Sequence, residues 1–345
     1  MTRSVRYCCV VVTLMIAFGL SAIPVAQAQT LTVLHSFTGG GDGGKPGAGM
    51  NMDRHGVFYG TTQYGGDLNC DNGGPAGCGV LFKFKNAGSG WILTPLHNFH
   101  DGADPTYPGE PTIGPNGTLY GMTFLGGADS NGLIYNATPL PSATVTGITF
   151  WNYNPIYQFT GGNDGGNPTR LAPLLFDAAG NIYGAATYGG PMNSGVVYEL
   201  TPSGGDWTET TLYSFTGGSD GSHLRGITFD GEGNIYGAAA FSGDQNCGTI
   251  YKLTPSQSGW TKTTVHSFQS NIDGCWPGPL TMDTAGNSSA LPKMTAPTMT
   301  AAPFGRCRLR MAVGPSVCST PFLPLPWATL VLTHRPWMLP VISMA

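Results

Sequence analysis

Short runs rich in Val, Ile, Thr and aromatic residues alternate along the chain with clusters of Gly, Asp, Asn and Ser, a spacing that suits strands joined by turns. Residues 171–215 show it most clearly. The apolar run 171–176 predicts a first strand. The turn at 177–181 follows, where Gly180 supplies a positive φ and Asp177 bonds the backbone two residues on. Residues 182–188 predict a second strand, 189–195 a Gly-rich loop, and 196–200 a third strand. A turn at 203–206 leads into a fourth strand at 207–215, where Thr and aromatic residues at alternate positions suit a pleated surface.

The pattern then repeats. Phe176-Asp-Ala-Ala-Gly-Asn-Ile-Tyr-Gly184 returns as Phe229-Asp-Gly-Glu-Gly-Asn-Ile-Tyr-Gly237, and more loosely from Met52 to Gly60 and from Ile113 to Gly121. A fifth copy begins at Met282 and breaks off after Asn287. The Tyr of the Tyr-Gly pair falls at 59, 120, 183 and 236. A Phe ending an apolar strand falls at 37, 99, 159, 215 and 268. Four antiparallel strands in a unit of this length predict a blade of an all-β, β-propeller-like repeat: about four blades and the start of a fifth, and so an incomplete ring as the chain stands. A single blade leaves two oily faces, so each must be covered by its neighbours. Gly at the Tyr-Gly step is expected where backbones approach closely. A β-helix or irregular all-β solenoid is the competing architecture.

The repeated phrase, with Gly-Val-Val-Tyr-Glu-Leu-Thr-Pro over 195–202, Gly-Thr-Ile-Tyr-Lys-Leu-Thr-Pro over 248–255 and Leu-Tyr-Ser-Phe-Thr-Gly-Gly over 212–218, resembles the GloVer tandem repeat over about residues 31–287. That resemblance implies an extracellular bacterial protein built of propeller-like blades, and no particular reaction. Residues 129–157 depart from the pattern and lengthen the second blade.

Composition narrows the partners. The formal net charge is −4, with no Lys/Arg cluster, so nucleic acid is not an expected partner. Arg3 and Arg6, an apolar run over 8–23 and Ala26-Gln27-Ala28 read as a signal peptide at 1–28, too short for a membrane span. The expectation is a secreted or cell-surface monomer with its repeat domain at 29–287 and no membrane insertion after signal removal.

Beyond Asn287 the character changes: residues 288–345 hold nine Pro, two Gly and no Asp or Glu. Read in the neighbouring frame after one lost base, the junction restores Gly-Asn-Leu-Phe-Gly, and 336–345 restores the repeat phrase. The tail is therefore expected to be out-of-frame product, without packed structure, of a gene whose intact form continues through further blades.

Candidate chemistry is sparse. His35, His97 and His266 occupy one repeat position that Tyr157 and Tyr213 fill elsewhere, and interchange with Tyr argues for packing with a polar tip over metal ligation. Asp53, Asp177, Asp230 and Asp283 start hairpin turns. Asp42, Asp101, Asp164, Asp220 and Asp273 lie in the long loops after the Phe-ending strands, on the face shared with the Gly-rich loops. These Asp loops are the candidate ligand face, able to take a hydroxyl-rich ligand or Ca²⁺, or else simple turn chemistry. No cofactor and no metal site is otherwise expected. Tyr107 and Trp276 in those loops are positioned to stack on sugars. Cys70–Cys78 and Cys247–Cys275 are expected disulfides, the second tying two blades. The function read from these features is a non-catalytic binding module for a polysaccharide or cell-surface component. The alternatives are a carbohydrate-active hydrolase or lyase, for which Glu110 is the single loop acid unique to its copy, and a truncated product without function.

Overall fold

The computed structural model describes residues 31–70, 76–100, 106–140, 151–270, 272–282, 288–290 and 307–309. The expected signal segment, Asp101, Asp283 and most of the tail lie outside them. The chain divides into a unit up to Leu34 and a unit from His35 on, and every strand belongs to the second.

Each repeat folds into one antiparallel sheet. The first contains β1 (Gly44–Pro46), β2 (Asn51–Met52), β3 (Phe58–Tyr64), β4 (Val80–Asn86) and β5 (Trp91–Asn98). The second contains β6 (Thr106–Pro108), β7 (Thr112–Ile113), β8 (Leu119–Leu125), β9 (Leu133–Pro139) and β10 (Trp151–Gln158). The third contains β11 (Gly166–Pro168), β12 (Leu175–Phe176), β13 (Ile182–Tyr188), β14 (Val196–Ser203) and β15 (Asp206–Ser214), and the fourth β16 (Ser222–Phe229), β17 (Ile235–Phe241), β18 (Thr249–Ser256) and β19 (Gly259–Ser267). The described residues hold no α-helix, and no sheet interleaves strands from two of these four repeats. This is the all-β, propeller-like arrangement expected from the repeat. A small sheet of β20 (Thr281–Met282), β21 (Ser288–Ala290) and β22 (Cys307–Leu309) follows, so parts of the expected unstructured tail are strands.

Successive residues show why the blades need each other. In the third blade Val196, Tyr198 and Ala186 pack with Met122 and Ile134 of the second. Val197, Tyr183 and Ala185 point the other way and pack with Leu224, Ile235 and Tyr251 of the fourth. Strand alternation sends neighbours in sequence to opposite faces, and each face finds a different sheet. Fully burying one such side chain contributes roughly 1.5–3 kcal/mol. Phe99, Phe159, Phe215 and Phe268 are fully buried, and the amide of each donates to the carbonyl of the Gly that precedes the third strand: Gly79, Gly132, Gly195 and Gly248.

The expected first strand at 171–176 is a correction. Only Leu175–Phe176 pairs there, and Gly166–Pro168, assigned to the loop, pairs with β13 as well. Pro168 and Pro173 have no N–H to give the ladder. In the fourth blade Leu224 and Gly226 stand in their places, and β16 runs through with a bulge between Leu224 and Ile227.

The Tyr-Gly step is a second correction. Gly60, Gly121, Gly184 and Gly237 make room first for an aromatic ring on the third strand, and only at Gly237 does a backbone, the Gly226 carbonyl, also come close. A Cβ on Gly60 would stand 2.7 Å from the Phe82 ring, and on Gly121, Gly184 and Gly237 it would overlap Tyr135, Tyr198 and Tyr251.

Candidate ligand-binding face

A bulge recurs between the third and fourth strands of every blade, at Leu81/Phe82, Pro155/Tyr157, Val197/Tyr198 and Ile250/Tyr251. Such an extra residue re-aims the side chain beside it. At Tyr157, Tyr213 and His266 it stands just before the His/Tyr position and turns that ring toward an Asp seven residues ahead. His35, which precedes the first strand, makes the same pair without a bulge beside it. His35 Nε2 lies 3.1 Å from Asp42. Tyr157 donates to Asp164 across 3.0 Å, and Tyr213 to Asp220 across 3.1 Å. His266 Nε2 is 2.5 Å from Asp273.

The same carboxylates accept from the loop they close: the amides of Thr38, Thr160, Thr216 and Gln269, and the hydroxyls of Thr38, Thr160 and Thr216. Burial pushes the Asp42 carboxyl up, but the Thr38 hydroxyl and amide and His35 outweigh it and hold it below the usual range. Asp42, Asp164, Asp220 and Asp273 thus act as clasps that fix their own loops. The offset of seven from His97 lands on Asp104, not on Asp101, and both lie outside the described residues.

The hairpin acids do what the turns need. Asp177 accepts from the amides of Ala179 and Asn181 and from Tyr183, and Asp230 accepts from the amides of Glu232 and Asn234.

The clasped loops and the Gly-rich loops touch within the first, third and fourth blades. Gly66 donates to Gly40, Gly190 to Gly162 and Gly243 to Gly218 through backbone bonds of 2.6–2.8 Å. They form the shared face expected from strand alternation. Three residues beyond each Asp position stands a side chain in the left-handed region: Lys45 (φ 53°), Tyr107 (φ 57°), Asn167 (φ 54°), His223 (φ 59°) and Trp276 (φ 60°). A non-Gly residue there costs on the order of 1–3 kcal/mol, and the surroundings must enforce it. The preceding blade does so: the amides of Asn167, His223 and Trp276 donate to the carbonyls of Asn131, Ser194 and Cys247.

Four of these positions, all but Asn167, seed a belt of rings and cations. Lys45 lies over Tyr64, and Tyr64 meets Tyr107 at 6.0 Å between centroids. Arg170 lies over both Tyr107 and Phe124. Further along, Tyr188 packs edge-on to His223, His223 on Phe241, and Phe241 tilts against Trp276 at 5.9 Å. Burial, then the Tyr64 hydroxyl, holds Tyr107 above its usual pKa, and burial, then Arg225, holds His223 below. The expected pair Tyr107 and Trp276 therefore occupies one repeat position of a longer row. Sequence reasoning missed Lys45, Arg170, Arg225, Tyr64, Tyr188 and Phe241. The constant offset from the loop Asp was the signal available for His223 and Lys45.

Glu110 accepts from Asn51 Nδ2 at 3.2 Å, and its carboxylate occupies the space that a Cβ on Gly49 would need. Burial alone pushes its carboxyl above the usual range, with no second carboxylate acting on it. Among the described residues no group of three or more His, Cys, Asp or Glu could hold a metal ion. Both disulfides are formed: Cys70–Cys78 staples the β3–β4 loop, and Cys247–Cys275 ties the fourth blade to the next repeat beside Trp276.

The Gloeobacter/Verrucomicrobia repeat matches residues 68–293. No curated protein matches the chain. Among solved structures, the chain is similar to a gluconolactonase from Xanthomonas campestris (13% identity, TM-score 0.41, covering 70% of this chain and 67% of that one). It is also similar to a protein of unknown function from Dyadobacter fermentans (12% identity, TM-score 0.44, covering 70% and 74%).

Proposed function

The chain belongs to the Gloeobacter/Verrucomicrobia repeat family, and from that premise we propose that it is an exported, non-catalytic binding module that takes a saccharide chain on its shared loop face. The observation that carries this reading is the row of left-handed side chains at one repeat position, among them Tyr107 and Trp276. Backbone strain held at five equivalent places stabilises nothing by itself, and such strain collects at ligand sites. Aromatic rings there offer flat apolar surfaces with polar rims, suited to a ligand that is apolar on its ring faces and polar at its edges. Two disulfides and the apolar N-terminal run support export.

A glycan array run beside a polysaccharide hydrolysis assay tests the reading. Trp276→Ala and Tyr107→Ala are each expected to weaken binding of the saccharide found by about tenfold or more, as loss of a buried aromatic anchor does. Turnover of a polysaccharide that Glu110→Gln abolishes would replace the binding module with an enzyme.

A further inference from the structure

Arg170 and Arg225 stand on adjoining segments of neighbouring blades. Gly226, the residue after Arg225, lies so close to Ala172 that a Cβ on it would overlap that side chain, and Arg170 is two residues before Ala172. The Arg170 guanidinium rests over Tyr107 at 5.2 Å. Both arginines are half-buried, and among the described residues neither is paired with a carboxylate. Burial, opposed by Tyr188 and joined by the charge of Arg170, pushes the Arg225 pKa down.

Elsewhere the fold supplies a buried cation with its counterion: Lys262 reaches Asp220 at 2.9 Å, their side chains 7% and 13% exposed. Two like charges left half-buried and without a counterion repel each other and give up part of their hydration. With only 15 Lys and Arg in 345 residues, crowding of charge does not force them together. An arrangement that weakens the empty protein and faces the ring belt is one that a bound anion would relieve.

Resting on the saccharide reading, we infer that the face takes an acidic saccharide, whose carboxylate or sulfate sits between Arg170 and Arg225 while a sugar ring lies on Tyr107. Guanidinium groups match both anions through paired hydrogen bonds.

Calorimetry with oligogalacturonate, a sulfated dextran oligomer and a neutral galactan oligomer of equal length tests this. The wild type is expected to bind at least one acidic oligomer tenfold or more tighter than the neutral one, and the comparison between the two acids identifies the anion. Arg170→Gln and Arg225→Gln are expected to erase the preference while neutral binding persists. Without ligand, Arg225→Gln is expected to melt at or above the wild-type temperature, and the acidic oligomer to raise the melting temperature of the wild type alone. Equal affinity for neutral and acidic oligomers, a preference that survives both substitutions, or a lowered melting point for Arg225→Gln overturns the inference and leaves the saccharide reading standing. Failure to bind either acidic oligomer overturns the inference, and the saccharide reading falls with it only when the glycan array is blank as well.

Discussion

Tyr213 at the end of β15 donates to Asp220 across 3.1 Å, joining the close of one blade to the opening loop of the next. Lys262 on β19 reaches the same carboxylate at 2.9 Å. The corresponding place facing Asp164 in the third blade carries Glu209, whose charge Asp164 opposes. Two repeats with one clasp thus have opposite electrostatics behind it.

Asp220→Asn removes the charge opposite a buried Lys262, which keeps its bonds to the Asp220 carbonyl and the Thr264 hydroxyl. The cost is therefore expected to fall below the roughly 3–5 kcal/mol of a fully broken buried pair and still exceed about 1 kcal/mol. Asp164→Asn keeps an acceptor for Thr160 and Tyr157 and relieves Glu209, so its cost is expected to stay under about 1 kcal/mol. Urea unfolding of the two variants checks the contrast. Equal losses would mean that the Lys262 pair adds nothing to the clasp.

Glu209 sets a pH dependence. Burial first, and then Asp164, pushes its carboxyl up to about 7 against the Thr211 bond that lowers it. The folded state therefore binds a proton that the unfolded state has released above about 4.5, and stability present below that pH is lost as pH rises through about 7. Glu209→Gln is expected to flatten this loss, with its largest gain above pH 7, on the order of 1–2 kcal/mol after solvent screening. Melting temperatures from pH 4 to 8 show it. A wild type and variant that run parallel across that range would rule it out.

The ring over the Tyr-Gly step gives a third expectation. Gly184→Ala forces a Cβ into the Tyr198 ring and is expected to cost about 1–3 kcal/mol. The Tyr198 hydroxyl is buried without a hydrogen-bond partner among the described residues, and Phe82 fills the equivalent place in the first blade. Tyr198→Phe is accordingly expected to leave stability within about 0.5 kcal/mol, or to raise it. Denaturation midpoints separate the two substitutions.

Reduction is expected to weaken the molecule unevenly. Chain entropy assigns about 3.5 kcal/mol to the 28-residue closure of Cys247–Cys275 and about 2.5 kcal/mol to the 8-residue closure of Cys70–Cys78. Replacing both members of each pair by Ser, with melting followed by calorimetry, checks the order. Since Trp276 follows Cys275 and its amide bonds Cys247, loss of that bridge is also expected to reduce saccharide binding.

The blade and most of its strands were legible because burial on two faces imposes long runs of β-branched and aromatic residues, as in 182–188 and 196–200. The broken first strand was not, because Pro168 acts through a missing ladder bond that a hydropathy pattern does not register. Interchange of His and Tyr at one position reveals packing with a polar tip, while the Asp partner is marked in the sequence only by an offset of seven that recurs four times. Tyr107 and Trp276 stand out in the sequence as aromatics in Gly-rich loops. What links them to Lys45 and His223 is a shared backbone angle, which side chains so different do not announce and only the constant offset from the loop Asp marks in the sequence.

The opposed directions of Val196 and Val197 carry a consequence for how such chains change. Every interior substitution is felt by one adjoining sheet and hidden from the other, so its damage crosses a single seam and stops. Copies can then diverge separately, or be gained and lost, while the register of the remaining seams stays the same.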